Sequence, residues 1–256
     1  MNPPQHISSR DNPIIKRLRQ LAQDNTAYRK LGQVWLEGDH LCRALLDRGG
    51  RPLQAVFTEA GWQRAPDALR RACTHNTIVP EALMATVSGL ESPADMGFVL
   101  ALPAQTGLVP GQPAVVLDRV QDAGNVGSIL RSAGAFGFRQ VLAIRGTAAL
   151  WSPKVVRAGM GAHFGLRLVE GLAPADLAGL GLPLLVTSSH RGQWLHRATL
   201  PWPCAWVMGH EGQGVAPQIE AMAADAVRIA QPGGEESLNV AAAAAICLHA
   251  SAAAAA

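Results

Sequence analysis

Ala114-Val115-Val116-Leu117-Asp118-Arg119-Val120-Gln121-Asp122-Ala123-Gly124-Asn125-Val126-Gly127-Ser128-Ile129-Leu130-Arg131 decides how the second half of this chain folds. Four apolar residues of strand length run into a polar turn with a glycine, and an apolar helical period begins directly after it. The same arrangement returns twice. Ala205–Met208 leads into Gly209-His210-Glu211-Gly212-Gln213-Gly214, and Ala226–Ile229 leads into Gln231-Pro232-Gly233-Gly234-Glu235-Glu236-Ser237-Leu238-Asn239. In an open α/β sheet, ligands bind in the loops beyond the carboxyl ends of the strands. Glycine there lets a ligand approach the backbone or permits positive φ. One such loop is an ordinary tight turn. Three of them, each also carrying Asn, Arg, Glu or Ser, point to a composite site.

Further strand-like runs at Gln140–Ile144 and Pro183–Thr187 fill the intervals. Helical candidates separate them at Val126–Ala135, Pro153–Arg157, Pro174–Leu180, Pro217–Ala223 and Leu238–Ser251. Alternation at this spacing predicts a parallel sheet flanked by helices, an α/β domain over residues 114–256. Upstream, Pro and Gly density over residues 104–113 reads as a linker. Residues 1–103 alternate on a smaller scale. Apolar runs at Val34–Leu36, Leu53–Phe57, Thr77–Val79 and Gly97–Leu102 are interleaved with helix-like stretches at His40–Leu46, Pro66–Cys73 and Pro80–Val87. Asp11-Asn12-Pro13 opens a further helix whose Ile14, Ile15, Leu18, Leu21 and Ala22 form one apolar stripe.

Hydrophobic residues make up 48% of the 256 and charged residues 16%, a globular composition. No apolar run approaches the roughly 20 residues that span a bilayer, and the opening residues carry no secretory pattern. Cys42, Cys73, Cys204 and Cys247 lie far apart without metal-ligand spacing and read as reduced thiols of a cytoplasmic protein. The net charge is +3, compatible with a nucleic-acid partner. Arg10, Lys16, Arg17, Arg19, Arg29 and Lys30 face only Asp11 and Asp24, which suits either a phosphate-binding surface or a solvated helix face.

Several chemistries are disfavoured. Gly124-Asn125-Val126-Gly127 lacks the dinucleotide-fingerprint spacing, and there is no Walker A lysine. His163, His190, His196 and His210 are scattered without metal-ligand spacing, so no metal is expected. Ser237 has no nucleophile elbow around it.

Together the three loops resemble the three signature motifs of the SpoU family (TrmH-like) of RNA 2′-O-ribose methyltransferases, in the SPOUT superfamily. The first matches at Asn125, Gly127, Ile129, Arg131, Ala133, Phe136 and Gly137. The second matches at Gly209, Glu211 and Gly214, and the third at Ile229, Gly233, Glu236, Ser237, Leu238, Asn239 and Val240. Trp151 to Ala158 resembles the segment after the family's second strand. Ser8 to Lys16 and Trp35 to Gly38 resemble the ribosomal-protein-like RNA-binding domain often fused to this core. Ala230 and Gln231 depart from the Pro and Met of many relatives, and Gly159 stands where serine is common.

The resemblance implies an enzyme that uses S-adenosylmethionine to methylate a ribose 2′-hydroxyl of structured RNA, with ribosomal RNA ahead of transfer RNA. It also implies a trefoil knot, pairing of two subunits through the catalytic domains, and work in the cytoplasm. It assigns chemistry to Asn125, Arg131, Glu211, Ser237 and Asn239. Arg131 should point into the glycine-loop cleft and meet the 2′-hydroxyl. Because a guanidinium stays protonated, Arg131 is read as orienting phosphate and ribose. Glu211 should hold Arg131 or Asn125, while Ser237 precedes the last helix and suits an N-cap. The cofactor would lie on the backbone at Thr187, Gly209, Ile229 and Leu238, and Arg10, Lys16, Arg17 and Arg19 would meet RNA. The alternatives are a non-catalytic RNA-binding protein on the same scaffold and a nucleotide-dependent dehydrogenase, which the missing fingerprint disfavours.

Overall fold

The computed structural model describes residues 3–104, 106–188, 191–233 and 237–255. Contacts divide the chain into two compact units, Met1–Ala104 with Trp151–Phe164, and Gln105–Leu150 with Gly165–Ala256.

In the first unit the elements run β1 (Gln5–His6), α1 (Pro13–Gln23), α2 (Ala27–Leu31), β2 (Gln33–Glu37), α3 (Asp39–Asp47), β3 (Gln54–Thr58), α4 (Glu59–Arg64), α5 (Asp67–Arg70), β4 (Asn76–Val79), α6 (Glu81–Val87) and β5 (Met96–Ala101). The sheet order is β1-β4-β3-β5-β2. The pairs β1–β4 and β4–β3 are parallel, while β3–β5 and β5–β2 are antiparallel. Asn12 caps α1, its Oδ1 accepting the Ile14 amide at 2.9 Å, and Pro13 takes the first helical turn, where its missing N–H costs nothing. The apolar stripe then buries Ile15, Leu18, Leu21 and Ala22 against Trp35, Val56 and Val99.

The second unit comprises β6 (Ala114–Leu117), α7 (Ala123–Ala135) and β7 (Gln140–Ile144); α8 (Pro153–Gly159), next in the chain, belongs to the first unit. It continues with β8 (Arg167–Leu172), β9 (Leu184–Thr187), β10 (Gln193–Trp194), β11 (Ala205–Met208), α9 (Pro217–Glu220), β12 (Asp225–Arg228) and α10 (Val240–Ala254). Seven strands in the order β10-β12-β9-β11-β6-β7-β8 form one sheet, and every pair in it is parallel. The central strands β11, β6 and β7 are buried end to end, as expected of strands covered on both faces. Helix α10 packs on α7 and β11, where Trp206 Nε1 donates to Ser251 Oγ at 2.8 Å inside the core.

The structure corrects several sequence expectations. Strands β1, β8 and β10 are present, although two are only two residues long and Arg167–Leu172 carries polar residues that mask its strand character. Pro174–Leu180 is a 3-10 helix, and the stretch read as Pro66–Cys73 reduces to one turn, α5. The segment Trp151–Phe164 follows β7 in sequence, yet its contacts lie in the first unit, where α8 packs on β2 and α1.

Candidate active site

The second unit builds its site at the carboxyl ends of β6, β9, β11 and β12. After β6, Asp122 caps α7, with Oδ1 accepting the Asn125 amide at 2.8 Å. This fixes Asn125 in the first helical turn with its carboxamide free to reach sideways. After β11, the chain closes a tight turn in which His210 and Gly214 exchange backbone bonds of 3.0 and 2.9 Å. Gly214 sits at φ +68°, where a side chain is strained, and a Cβ on Gly209 would lie 2.4 Å from the Gly214 carbonyl carbon. His210 Nδ1 accepts the amides of Gly212 and Gln213 at 3.0 and 3.2 Å. The turn therefore holds Glu211 at its tip.

From that tip Glu211 reaches back to the first loop. Its Oε2 accepts the Gln121 amide at 3.1 Å, and its Oε1 accepts the Asp122 amide and Asn125 Nδ2, each also at 3.1 Å. Asn125 Oδ1 in turn accepts Asn239 Nδ2 at 2.9 Å. Asn239 is the N-cap of α10, its Oδ1 accepting the amides of Ala241 and Ala242 at 2.9 and 3.2 Å. One hydrogen-bonded chain thus joins all three glycine-bearing loops. Burial pushes the Glu211 carboxyl up, but the two amides and the Asn125 carboxamide overcome this and hold it below the usual carboxylate range.

A second clamp escaped the sequence reading. Arg119 adopts φ +60°, a strained conformation for a residue with a side chain. Its guanidinium forks onto the buried Asp118, Nε to Oδ1 at 2.9 Å and Nη2 to Oδ2 at 3.1 Å, while Nη1 donates to Gln213 Oε1 at 3.0 Å. Asp118 also accepts the Ala216 amide at 2.6 Å. Two adjacent opposite charges at a strand end gave no sequence signal of this role, because only the fold brings Gln213 and Ala216 to them.

A cavity of about 370 Å³ opens beside this network, within the size range of small-molecule sites. Thr187, Gly209, Ile229 and Leu238, the residues expected at a cofactor, all line it, as do Glu211, Ser237 and Asn239. Apolar Val215, Ile229, Leu238 and Ala243 lie beside strand-end backbone and hydroxyls. That mixture fits S-adenosylmethionine, which presents an apolar purine face and polar ribose and amino-acid ends. Among the described residues no group of His, Cys, Asp and Glu could hold a metal ion.

Two expectations need adjustment, those for Ser237 and Arg131, and the one for Glu211 resolves between its alternatives. Ser237 is not the helix cap; Asn239, two residues on, takes that place because it directly precedes Val240 and its Oδ1 reaches the Ala241 and Ala242 amides. Of the two partners expected for Glu211, Asn125 is the one it holds, together with two loop amides. Arg131 is exposed on α7 and is not among the cavity-lining residues. Six residues separate it from Asn125, a rise of about 9 Å and a turn of about 120° around the helix. Glu236, matched in the third loop, lies outside the described residues.

In the first unit, the basic residues of the opening stretch have different tasks. Lys16 pairs with Asp11 at 3.2 Å on the surface, and Arg10 is exposed. Arg19 ties α1 to α6, with Nε on the Thr86 carbonyl and Nη2 on its Oγ1 at 3.2 and 3.1 Å. Arg17 Nη2 donates to Gln54 Oε1 at 2.7 Å.

The comparisons with known proteins bear on what this site serves. An uncharacterized tRNA/rRNA methyltransferase of Synechocystis is 30% identical over 95% of this chain and 92% of its own. The 23S rRNA (guanosine-2′-O)-methyltransferase RlmP of Bacillus subtilis is 27% identical over 86% and 88%. In fold, the chain is similar to an rRNA methyltransferase of Sinorhizobium meliloti solved with AdoMet bound, with a TM-score of 0.83 at 24% identity over 96% and 97%. The sequence profile of the SpoU rRNA Methylase family matches residues 112–249, a span that contains all three joined loops and the cavity they enclose. With the motifs, the loop network and this match in agreement, the chain belongs to the SpoU family of RNA methyltransferases.

Proposed function

We propose that this enzyme methylates a ribose 2′-hydroxyl in ribosomal RNA with S-adenosylmethionine as methyl donor. The observation that carries the reading is the chain Glu211–Asn125–Asn239, which locks three loops together at the rim of a cavity suited to the donor. The Bacillus relative, a 23S rRNA 2′-O-methyltransferase, supports ribosomal over transfer RNA.

Bound S-adenosylmethionine supplies a methyl group on a sulfonium, ready for in-line attack. Thr187, Gly209, Ile229 and Leu238 hold the donor along strand-end backbone and exclude water from its apolar part. A ribose hydroxyl is a weak nucleophile, so positioning supplies much of the rate. Asn125 and Asn239 present carboxamides that both donate and accept, and they fix the ribose against the loop backbone. Glu211 keeps Asn125 oriented. Ser237, freed from capping, offers its hydroxyl to the substrate. The Arg131 guanidinium grips the adjoining phosphate and polarises the 2′-oxygen, whose proton leaves to solvent as the bond to the methyl forms and the sulfonium–methyl bond breaks.

Residues 1–103 serve as a ribosomal-protein-like RNA-binding domain, 104–113 as linker and 114–256 as the catalytic domain, which carries a trefoil knot. Its donor cavity lies in the loops after β12, β9 and β11, which are consecutive in the sheet. Two copies pair through the catalytic domains. An apolar face formed by Phe136, Leu195, Ala230, Ala245, Ile246 and Ala250, with Ile246 41% exposed, supports this pairing. The enzyme acts in the cytoplasm. Mapping 2′-O-methylation across ribosomal and transfer RNA after gene deletion tests the assignment. Loss of one ribosomal site is expected, and an unchanged ribosomal map with a lost transfer-RNA site would refute the substrate.

A further inference from the structure

Arg17 belongs to the basic stretch, yet the fold turns it to a cavity wall. Within the first unit an opening of about 470 Å³ lies where β3 and β4 begin. Arg17, Gln33, Gln54 and Asn76 line it together with Ile14, Leu53 and Val99, and no carboxylate does. The guanidinium is held in place: Gln54 accepts its Nη2 at 2.7 Å, and Gln54 Nε2 donates to Thr77 Oγ1 at 2.9 Å. Gln54, Asn76 and Thr77 are all buried, so this part of the wall is preorganised. Two atoms of the wall residues, Arg17 Nε and Gln33 Oε1, are buried and have no hydrogen-bond partner. Leaving a donor and an acceptor unmet is costly, and an occupant with both kinds of group supplies what these two side chains lack.

The lining selects among occupants. A cation finds no carboxylate and one guanidinium. A lone phosphate finds one guanidinium and one imidazole, that of His75, and leaves the Gln33 carboxamide oxygen and the apolar residues idle. A planar heterocycle meets both kinds of group, with its faces on Ile14, Leu53 and Val99 and its edge on Arg17 Nε and the Gln33 carboxamide, the two groups the wall leaves unpaired. Arginine, asparagine and glutamine are the side chains that pair with purine edges, and RNA-binding domains take up bases splayed from single strands. We infer that this cavity binds an unstacked nucleobase. That the base belongs to RNA rests on the reading of this unit as RNA-binding; a free nucleotide carries the same chemistry.

The test uses the full chain labelled with ¹⁵N, reading the Arg17 Nε–H resonance, which is assigned by its disappearance in Arg17→Lys. Adding adenosine, guanosine, cytidine or uridine to millimolar concentration should shift that resonance for at least one base, and ribose 5-phosphate should leave it in place. A single-stranded oligoribonucleotide rich in the effective base should displace the nucleoside and bind roughly tenfold tighter; failure to compete would assign the cavity to a free nucleotide, with base recognition intact. No shift with any nucleoside, or an equal shift with ribose 5-phosphate, overturns the inference, whether or not a variant folds. In RNA binding, Arg17→Gln should weaken affinity roughly tenfold and flatten base preference at an unchanged salt slope. A slope lower by about one unit would make Arg17 a phosphate contact and refute a base contact. If the wild-type chain binds no RNA, the RNA-binding reading falls, and the nucleoside titration still decides the cavity.

Discussion

Glu211→Gln isolates the loop network with little change in shape. The wild-type carboxylate accepts three hydrogen bonds, two at Oε1 and one at Oε2, from donors on the segment between β6 and α7. A carboxamide oxygen can replace Oε1 and keep the Asp122 and Asn125 bonds, now without charge assistance. Its NH2 then faces the Gln121 N–H, donor against donor. A charge-assisted bond contributes about twice a neutral one, and a typical net bond about 1 kcal/mol. The carboxylate is largely exposed, so solvent screening reduces these values, and the net loss is about 1–2 kcal/mol. A loss of that size lowers the fraction of correctly placed loops and weakens apparent donor affinity by up to about thirtyfold. Calorimetric titration with S-adenosylmethionine, followed by single-turnover methylation, reads both consequences. The pH dependence supplies a second check. The folded carboxyl lies below its ordinary range, so its contribution is complete above that range and is lost as pH falls through the folded value. Wild-type affinity should therefore drop on the acid side, and the drop should be missing in Glu211→Gln. Unchanged affinity and rate in the variant would refute the network as the organiser of the site.

Arg131→Ala should lower single-turnover methylation by on the order of a hundredfold with donor binding unchanged, and Arg131→Lys should be nearly as damaging because the planar fork is lost; full activity in the alanine variant would remove Arg131 from the mechanism. Replacing Arg10 and Lys16 with Ala should each reduce the salt slope of RNA binding by roughly one unit, whereas Arg19→Ala, which cuts α1 from Thr86, should act on thermal stability instead. Ser251→Ala strands the buried Trp206 N–H and should cost about 1–3 kcal/mol in chemical denaturation followed by tryptophan fluorescence. Burial pushes Cys204 to about 11 and Cys247 to about 12, so in the native protein a thiol reagent should label the half-buried Cys73 well before either. Donor binding should survive EDTA, and a metal requirement in calorimetry would contradict the site as drawn.

The local pattern by itself determined much of this protein. Four-residue apolar runs such as Ala114–Leu117 and Ala205–Met208 must be buried on both faces, which makes them inner parallel strands, and the polar glycine turns after them must then collect at one sheet end. The Asn12-Pro13 start of α1 was legible for the same reason, because it depends on neighbours close in sequence, and Thr187, Gly209, Ile229 and Leu238, named through the family resemblance, line one cavity. Tertiary structure decided the partnerships. Glu211 lies 86 residues from Asn125, and Asn125 lies 114 from Asn239, so only the assembled sheet could choose Asn125 over Arg131 as the carboxylate's partner. The same holds for Gln213 on Arg119, 94 residues away, and for Arg17, whose membership in a basic run hid a bond to Gln54. Strands β8 and β10 stayed invisible because edge strands are half solvated and need no apolar run. Sequence periodicity reports which face of an element is buried; which distant donor meets which acceptor is settled only when the elements pack.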